Sequence, residues 1–170
     1  MDSAPFILSA ELDARAHAYF ERLRTELFPP ERLLVGAHLT LFHLLPPSAE
    51  ADVLNGCAAE ARQTGPIAGE AGAPYSLGRG VAFRIAAPGL DALRARLVDR
   101  WGGLLSAQDQ APFRAHVTVM NKAEPKTARA ALERLEAEHR PFPLRVTALA
   151  LWRYRGGPWE AVKRFGLSGR

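Results

Sequence analysis

The chain of 170 residues has little of three things: cysteine, long apolar runs and basic runs. Its single cysteine, Cys57, excludes an internal disulfide and fits a reducing cytoplasm; we expect it in the core, because it belongs to a helical apolar stripe. No segment approaches the roughly 18 apolar residues of a membrane span, and Met1 to Pro5 carry no signal-peptide pattern. We therefore expect a cytoplasmic protein that does not enter a membrane.

The composition suits one domain over residues 1–170. Hydrophobic residues make up 48% of the chain, enough for a core, and no linker or low-complexity segment divides it. A net charge of +4 and a pI near 9.7 favour anionic partners such as phosphates or RNA. An arginine-rich composition without such a partner explains the charge equally well, so charge alone does not assign a ligand.

Two segments share one pattern of histidine, threonine and apolar residues: His38 to Leu41 and His116 to Val119. Successive side chains of a strand point to opposite faces, so in each segment the histidine and the threonine share a face. A predicted strand, helix and loop precede each segment, and a second helix follows it. Because the reactive pair recurs at matching places, the repeat is stronger evidence for a site than either segment alone.

The predicted elements give an α+β fold in which strands pair through hairpins and helices pack against them. The motif strands cover about residues 37–44 and 113–121, in two lobes that face each other across a cleft. The other predicted strands cover about residues 5–12, 67–77, 81–87, 144–155 and 159–167, and the helices cover about 13–28, 88–101 and segments that begin near Ser48 and Pro125.

These motifs resemble those of the 2H phosphoesterase superfamily, also called the 2′-5′ RNA ligase-like or cyclic phosphodiesterase proteins, which two His-x-Thr/Ser-hydrophobic motifs define. The chain is similar over nearly its whole length, particularly to bacterial 2′-5′ RNA ligase family proteins, through Phe113 to Thr118 and the tail Leu151 to Tyr154. One departure is Ala115, where many members have a proline; it affects entry into the strand rather than the chemistry. The resemblance implies two pseudo-symmetric lobes, each an antiparallel sheet with helices packed outside, around a central cleft.

His38 and His116 are the candidate catalytic residues. A histidine with its ordinary pKa of about 6.5 can take or give a proton near neutral pH, which typically contributes about 10²–10⁴-fold to a rate. On opposite sides of a phosphodiester, one would take a proton from the attacking water or hydroxyl, and the other would protonate the leaving oxygen. Thr40 and Thr118 would donate hydrogen bonds to the non-bridging phosphate oxygens. The resemblance implies the same chemistry, without a metal or another cofactor.

A zinc site is the main chemical alternative. His38 and His43 lie on opposite faces of a regular strand, and neither motif contains a cysteine or a nearby carboxylate, so we expect no metal. His43 is interpreted either as a buried histidine with satisfied hydrogen bonds or as a residue that contacts the site residues without contacting the substrate. Taken singly, His38 and His116 could be ordinary strand histidines; their repetition argues against this.

Five further residues are candidate substrate contacts. Arg114 and Lys122 share the face of the second motif histidine if the strand stays regular, and either could neutralise phosphate; a solvated charge at the strand end is the alternative. Phe42, Trp152 and Tyr154 could stack on a base, although core packing competes for each of them. We expect Phe42 to point into the cleft, because it shares the strand face of the first motif threonine.

The predicted function is a metal-independent phosphodiesterase that acts on a 2′,3′-cyclic phosphate or on a 2′-5′-linked nucleotide or RNA end. The alternatives are 2′-5′ RNA ligation, which runs the same proton transfers in reverse, and a nucleotide- or RNA-binding module with little turnover. The presence of both histidines and both threonines favours the enzyme. We expect a monomer whose partner is its substrate, with specificity set by residues 102–112 and the region of Trp152.

Overall fold

The computed structural model describes residues 2–170, and within them the chain forms seven strands and five helices. The strands are β1 (Phe6–Leu12), β2 (Leu39–Leu45), β3 (Ile67–Ser76), β4 (Val81–Ala86), β5 (His116–Met120), β6 (Phe142–Arg153) and β7 (Glu160–Gly166). The helices are α1 (Ala14–Leu27), α2 (Glu50–Gln63), α3 (Pro88–Trp101), α4 (Ala107–Gln110) and α5 (Pro125–Glu138). No helix of the described part is long and apolar enough to cross a bilayer.

Local sequence signals set the helix boundaries. The Asp13 carboxylate accepts the backbone N–H of Ala16 at 3.0 Å and so caps α1. Pro88 and Pro125 occupy the first positions of α3 and α5, where the missing N–H of proline costs no hydrogen bond. Gly102, at a φ of 43°, ends α3 in a conformation that other residues rarely adopt. The helices predicted from these signals are confirmed.

The strands of residues 2–170 pair antiparallel in one sheet, in the order β2-β1-β6-β3-β4-β5, with β7 also on β6. β6 is the shared strand: Val146 pairs with Leu12 of β1 on one edge and with Ile67 of β3 on the other. β7 continues along the β3 edge, opposite residues 148–153. The predicted antiparallel α+β fold is confirmed, and its two halves form one continuous sheet through β6.

The sheet curls so that its two ends meet. β2 and β5 stand at opposite ends of the strand order, yet their Cα atoms approach within 8 Å. An antiparallel sheet that twists and coils in this way forms a half-barrel, with a cleft where the ends approach. The motif strands are therefore neighbours in space despite their separation in the sequence, as predicted.

Both motif strands carry a bulge directly after the motif threonine. The register slips by one residue at Leu41 in β2 and at Val119 in β5. An extra residue in one strand turns the residues beyond it to the other face. Phe42 and Met120, which follow the extra residues, are consequently buried, with 0% and 4% of their surface exposed. The prediction that Phe42 points into the cleft is wrong, because its ring packs edge-on against Trp101 at 5.1 Å between centroids.

Helices pack against the sheet and enclose the core. α1 packs on β5, α5 packs on β3, and α2 packs on α3 and β7. Cys57 is fully buried between these elements, as predicted. Burying a large apolar side chain stabilises a fold by about 1.5–3 kcal/mol. The largest fully buried side chains include Phe6, Phe20, Phe42, Phe83, Leu8, Leu39, Leu90 and Leu97.

Candidate active site

The motif histidines are held by the same backbone contact. Nδ1 of His38 lies 2.8 Å from the carbonyl oxygen of Gly36, and Nδ1 of His116 lies 2.8 Å from that of Arg114. A carbonyl oxygen only accepts, so each Nδ1 carries the hydrogen and each neutral ring has its lone pair on Nε2. The acceptor is two residues upstream in both cases. The two strands thus fix both rings alike and leave both Nε2 atoms for proton transfer.

The environment of His38 favours its neutral form. Burial lowers the pKa of His38 to about 4, and the positive charge of Arg24 acts in the same direction, against an opposing hydrogen bond to Gly36. Charge on His116 also lowers the pKa of His38, so the two rings are within electrostatic reach of each other. At neutral pH, His38 is therefore an unprotonated base.

Thr40 and Thr118 lie on the same strand faces as the histidines. All four side chains are half-buried, whereas the apolar motif residues are fully buried. The predicted alternation therefore holds from each histidine to the bulge. Thr40 pairs with Ser9 of β1 and Thr118 with Ala82 of β4, so the threonines occupy equivalent places in the two halves of the sheet.

Two buried arginines anchor the motif strands, each from the opposite half of the chain. Arg24 of α1 donates to the Thr118 carbonyl at 2.6 Å and to the Val35 carbonyl at 2.8 Å. Arg94 of α3 donates to the Leu41 carbonyl at 2.8 Å. Burying a charge is costly unless it is well bonded, and these two residues are only 4% and 7% exposed. Because each half of the chain contributes an arginine that binds the motif strand of the other half, these contacts hold the two ends of the curled sheet near each other.

Asp109 of α4 fixes the end of β2. Its fully buried carboxylate accepts the backbone N–H groups of His43 at 2.8 Å and Leu44 at 2.9 Å. Burial would raise the pKa of Asp109, but hydrogen bonds from His43 and Leu44 outweigh this and hold the pKa below its usual value. The His43 ring is 47% exposed and lies 3.3 Å from the same carboxylate. Of the two interpretations of His43, that of a buried histidine is wrong, because the preceding bulge turns its side chain outward. The interpretation that His43 supports the site stays a prediction.

His38 borders two cavities of opposite character. The first, here called the aromatic cavity, has a volume of about 750 Å³ and is lined by His38, Trp152 and Trp159 together with Glu11 and Asp13. The Trp159 ring lies 4.5 Å from the His38 ring, and the Trp152 ring lies 5.9 Å from Trp159, between centroids. Trp152 therefore lines the same cavity as His38, and its contact with substrate stays a prediction. Trp159, which the sequence analysis does not identify, lies in the turn between β6 and β7, and this turn places it beside His38.

The second, here called the basic cavity, has a volume of about 450 Å³ and contains groups from both motif strands. His38 and Thr118 line it together with the cations Arg24, Arg32 and Lys122. One residue of the first motif and one of the second therefore face a common space. The structure brings the predicted candidate Lys122 into this space, although β5 ends two residues before it.

Arg114 and Tyr154 line neither of these cavities. Arg114 is exposed and contributes its carbonyl oxygen to the His116 anchor, and Tyr154 is 44% exposed just beyond β6. Their substrate contacts stay predictions. Tyr75 of β3, which was not predicted, places its ring 6.5 Å from that of His116.

The donor groups at the site are imidazoles, hydroxyls and cationic side chains. Among residues 2–170, no three histidine, cysteine, aspartate or glutamate side chains come together as metal ligands. Imidazoles move protons, and hydroxyls and cations bind oxyanions. The arrangement is suited to a phosphate held between the two motif strands.

A family model described as the 2′-5′ RNA ligase superfamily matches residues 11–158. The fold is similar to TT0787 of Thermus thermophilus, with a TM-score of 0.70 and 19% identity over 98% of this chain and 99% of that one. It is also similar to E. coli LigT complexed with 3′-AMP (TM-score 0.64, 20% identity, 98% and 99% covered) and to a phosphoesterase (TM-score 0.66, 22% identity, 98% and 99% covered). No curated protein sequence matches the chain. At these identities, the near-complete coverage shows a shared fold.

Proposed function

Because the chain belongs to the 2′-5′ RNA ligase superfamily, we propose that it is a metal-independent phosphodiesterase that acts on a 2′,3′-cyclic phosphate or on a 2′-5′-linked nucleotide or RNA end. The observation that carries this proposal is the equivalent anchoring of His38 and His116 on neighbouring strands, with Nδ1 of each bound to the backbone. Two imidazoles and two threonine hydroxyls supply the proton transfers and the oxyanion contacts that phosphodiester hydrolysis needs.

His38 is the general base in this proposal. Its pKa of about 4 keeps Nε2 unprotonated at neutral pH, so Nε2 takes a proton from water as the water oxygen bonds to phosphorus. His116 enters this step in its protonated form and donates the Nε2 proton to the ribose oxygen as the bond between that oxygen and phosphorus breaks, which leaves its ring neutral. A cyclic phosphate thereby becomes a phosphomonoester with one free ribose hydroxyl. Thr40 and Thr118 donate hydrogen bonds to the non-bridging oxygens, where negative charge develops.

A panel of 2′,3′-cyclic nucleotides, 2′-5′ dinucleotides and RNA ends, assayed with EDTA present, tests this proposal. We expect hydrolysis of at least one member at a rate that the chelator does not change, because imidazoles supply the proton transfers. His38→Ala is the matched control for contaminating activity. Turnover that disappears on chelation and returns with one particular divalent ion would contradict the metal-independent mechanism.

Two alternatives give different results in the same assays. The reverse reaction, 2′-5′ RNA ligation, would join a 2′,3′-cyclic phosphate end to a 5′-hydroxyl end through the same proton transfers. A nucleotide- or RNA-binding module would bind members of the panel without converting them, and the binding would not depend on His38 or His116.

A further inference from the structure

The basic cavity opens from the place where the reacting phosphate lies in the proposed function, because His38 and Thr118 both line it. Its other polar lining is mainly cationic: three positive side chains accompany one amide, Asn121, and one carboxylate, Glu31, among the residues that the structure describes. The positive side chains are Arg24, Arg32 and Lys122. Charges closer than about 10 Å are not fully screened at physiological salt, so this cavity attracts an anion in addition to the reacting phosphate.

Arg32 and Lys122 are the exposed cations of this lining. Nη1 of Arg32 donates to the Lys122 carbonyl at 3.4 Å, so the segment before β2 meets the turn after β5. Lys122 is the one non-glycine residue of 2–170 with a positive φ, 57°, and the Asn121 side chain accepts its N–H at 2.9 Å. The Arg32 guanidinium forms no ion pair within residues 2–170, whereas that of Arg96 pairs with Glu60 at 2.9 Å. The segment before β2 and the turn after β5 thus each contribute a cation to the lining of this cavity.

Arg24 lines the same cavity and carries a charge that the protein does not fully compensate. Its two terminal nitrogens bind the carbonyl oxygens of Thr118 and Val35, but Nε has no hydrogen-bond partner within residues 2–170. The residue is only 4% exposed, and neutral carbonyls do not cancel a full positive charge. Burial lowers the pKa of Arg24 and outweighs the charge of Glu21, which favours protonated Arg24. An anion in the cavity would offset the remaining cost of burying this charge.

We propose that the basic cavity binds a second phosphate, next to the reacting one, and that the substrate is a nucleotide end with at least two phosphates, as at the end of an RNA. This inference rests on the proposed function. The reacting phosphate lies between the motif strands, and the nucleobase occupies the aromatic cavity against Trp152 and Trp159. The adjacent phosphate contacts Arg32 and Lys122, with the charge of Arg24 behind them. A cyclic mononucleotide without a second phosphate leaves Arg32 and Lys122 without an anion.

A pair of substrates that differ by one phosphate tests the proposal: adenosine 2′,3′-cyclic phosphate with and without a 5′-phosphate. We expect kcat/KM of the wild type to favour the 5′-phosphorylated substrate by about tenfold, as one charge-assisted contact would give. Arg32→Gln combined with Lys122→Gln should reduce this preference below about threefold. The control is Arg62→Gln combined with Arg129→Gln, which removes the same amount of charge from exposed positions on α2 and α5. This control variant should retain the preference for the 5′-phosphorylated substrate. Equal kcat/KM values in the wild type, or a preference that survives in the first double variant, would overturn the proposal.

Binding of unreactive ligands separates this proposal from the proposed function. Calorimetry with 3′-AMP and with adenosine 3′,5′-bisphosphate measures the second phosphate without turnover. The bisphosphate should bind about tenfold tighter to the wild type, with a steeper loss of affinity as salt rises, and the difference should disappear in the Arg32→Gln, Lys122→Gln variant. If no cyclic phosphate is hydrolysed but this pattern is found, the proposed function fails and the second-phosphate site stands. Hydrolysis with no preference in either assay contradicts the site alone.

Discussion

The two motif strands are alike in their backbone and different in what covers them. Each holds its histidine by a carbonyl two residues upstream, and each has a bulge after its threonine. Trp159, however, lies 4.5 Å from the His38 ring, whereas Tyr75 approaches the His116 ring only to 6.5 Å. The shared backbone holds the two imidazoles alike, and burial of the His38 ring, against which Trp159 packs, favours the neutral form of that ring.

The largest expected effect comes from removing either histidine. His38→Ala and His116→Ala should each lower kcat on the best substrate by about 10²–10⁴-fold, since each removes one proton transfer. The double variant should be little slower than either single variant, because residues that act as a unit are not additive. Near-normal kcat in either single variant would show that the two strands are alike in structure but not in function.

The threonines extend the comparison to the phosphate oxygens. Thr40→Val and Thr118→Val should each lower the rate by about 10²–10³-fold, the usual effect of losing one donor to a developing oxyanion. Thr127→Val, at an exposed position on α5, is the matched control and should leave the rate unchanged. A large loss for one threonine and none for the other would mean that only one half of the site contacts the phosphate.

Asp109 binds the backbone of β2, and within residues 2–170 no carboxylate binds the backbone of β5 in the same way. We therefore expect the loss of Asp109 to lower the stability of the fold. Asp109→Ala leaves two backbone N–H groups of β2 without their acceptor and should lower the free energy of unfolding by about 3 kcal/mol in urea titrations. Because the pKa of Asp109 is held below its usual value, this stabilisation is present above the ordinary carboxyl range and is lost as the pH falls through the lowered pKa. Asp99→Asn, on the exposed face of α3, should change the free energy of unfolding by less than about 0.5 kcal/mol.

The smallest expected effect is on the ionisation of His38. Trp159→Ala exposes the ring and should raise the pKa of His38 from about 4 towards its ordinary value, as an NMR titration would measure. Between about pH 6.5 and 4, the unfolded chain protonates this histidine while the folded protein does not, so the free energy of unfolding falls on acidification through that window. The variant should show a shallower fall. A pKa that does not move would mean that Trp159 does not provide the burial.

The motif histidines and threonines were predictable because alternation along a strand and repetition of a motif are local properties of a sequence. The alternation fails at Phe42 and His43, where the bulge at Leu41 reverses the faces. A hint was present in the adjacent apolar pairs, Leu41 with Phe42 and Val119 with Met120, which a regular half-buried strand does not favour.

The residues that surround the histidines were beyond sequence reasoning, because tertiary contacts bring them together. Trp159 reaches His38 only through the turn between β6 and β7, and Arg24 reaches Thr118 only because the sheet curls until its ends meet. No local pattern marks such contacts. The α+β fold follows from periodicity and turns. The continuity of the sheet depends instead on the pairing of β6 with β1 on one edge and with β3 on the other, which no local pattern predicts.

The central claim is that Nε2 of His38 and Nε2 of His116 face one phosphate. Long-range ¹H–¹⁵N spectra of the histidine rings, recorded at mildly alkaline pH during titration with inorganic phosphate, test it directly. We predict the Nδ1–H tautomer for both neutral rings, and shifts of both Nε2 resonances that follow one common saturation curve. An Nε2–H tautomer in either ring, or phosphate that shifts only one of the two, would contradict the account.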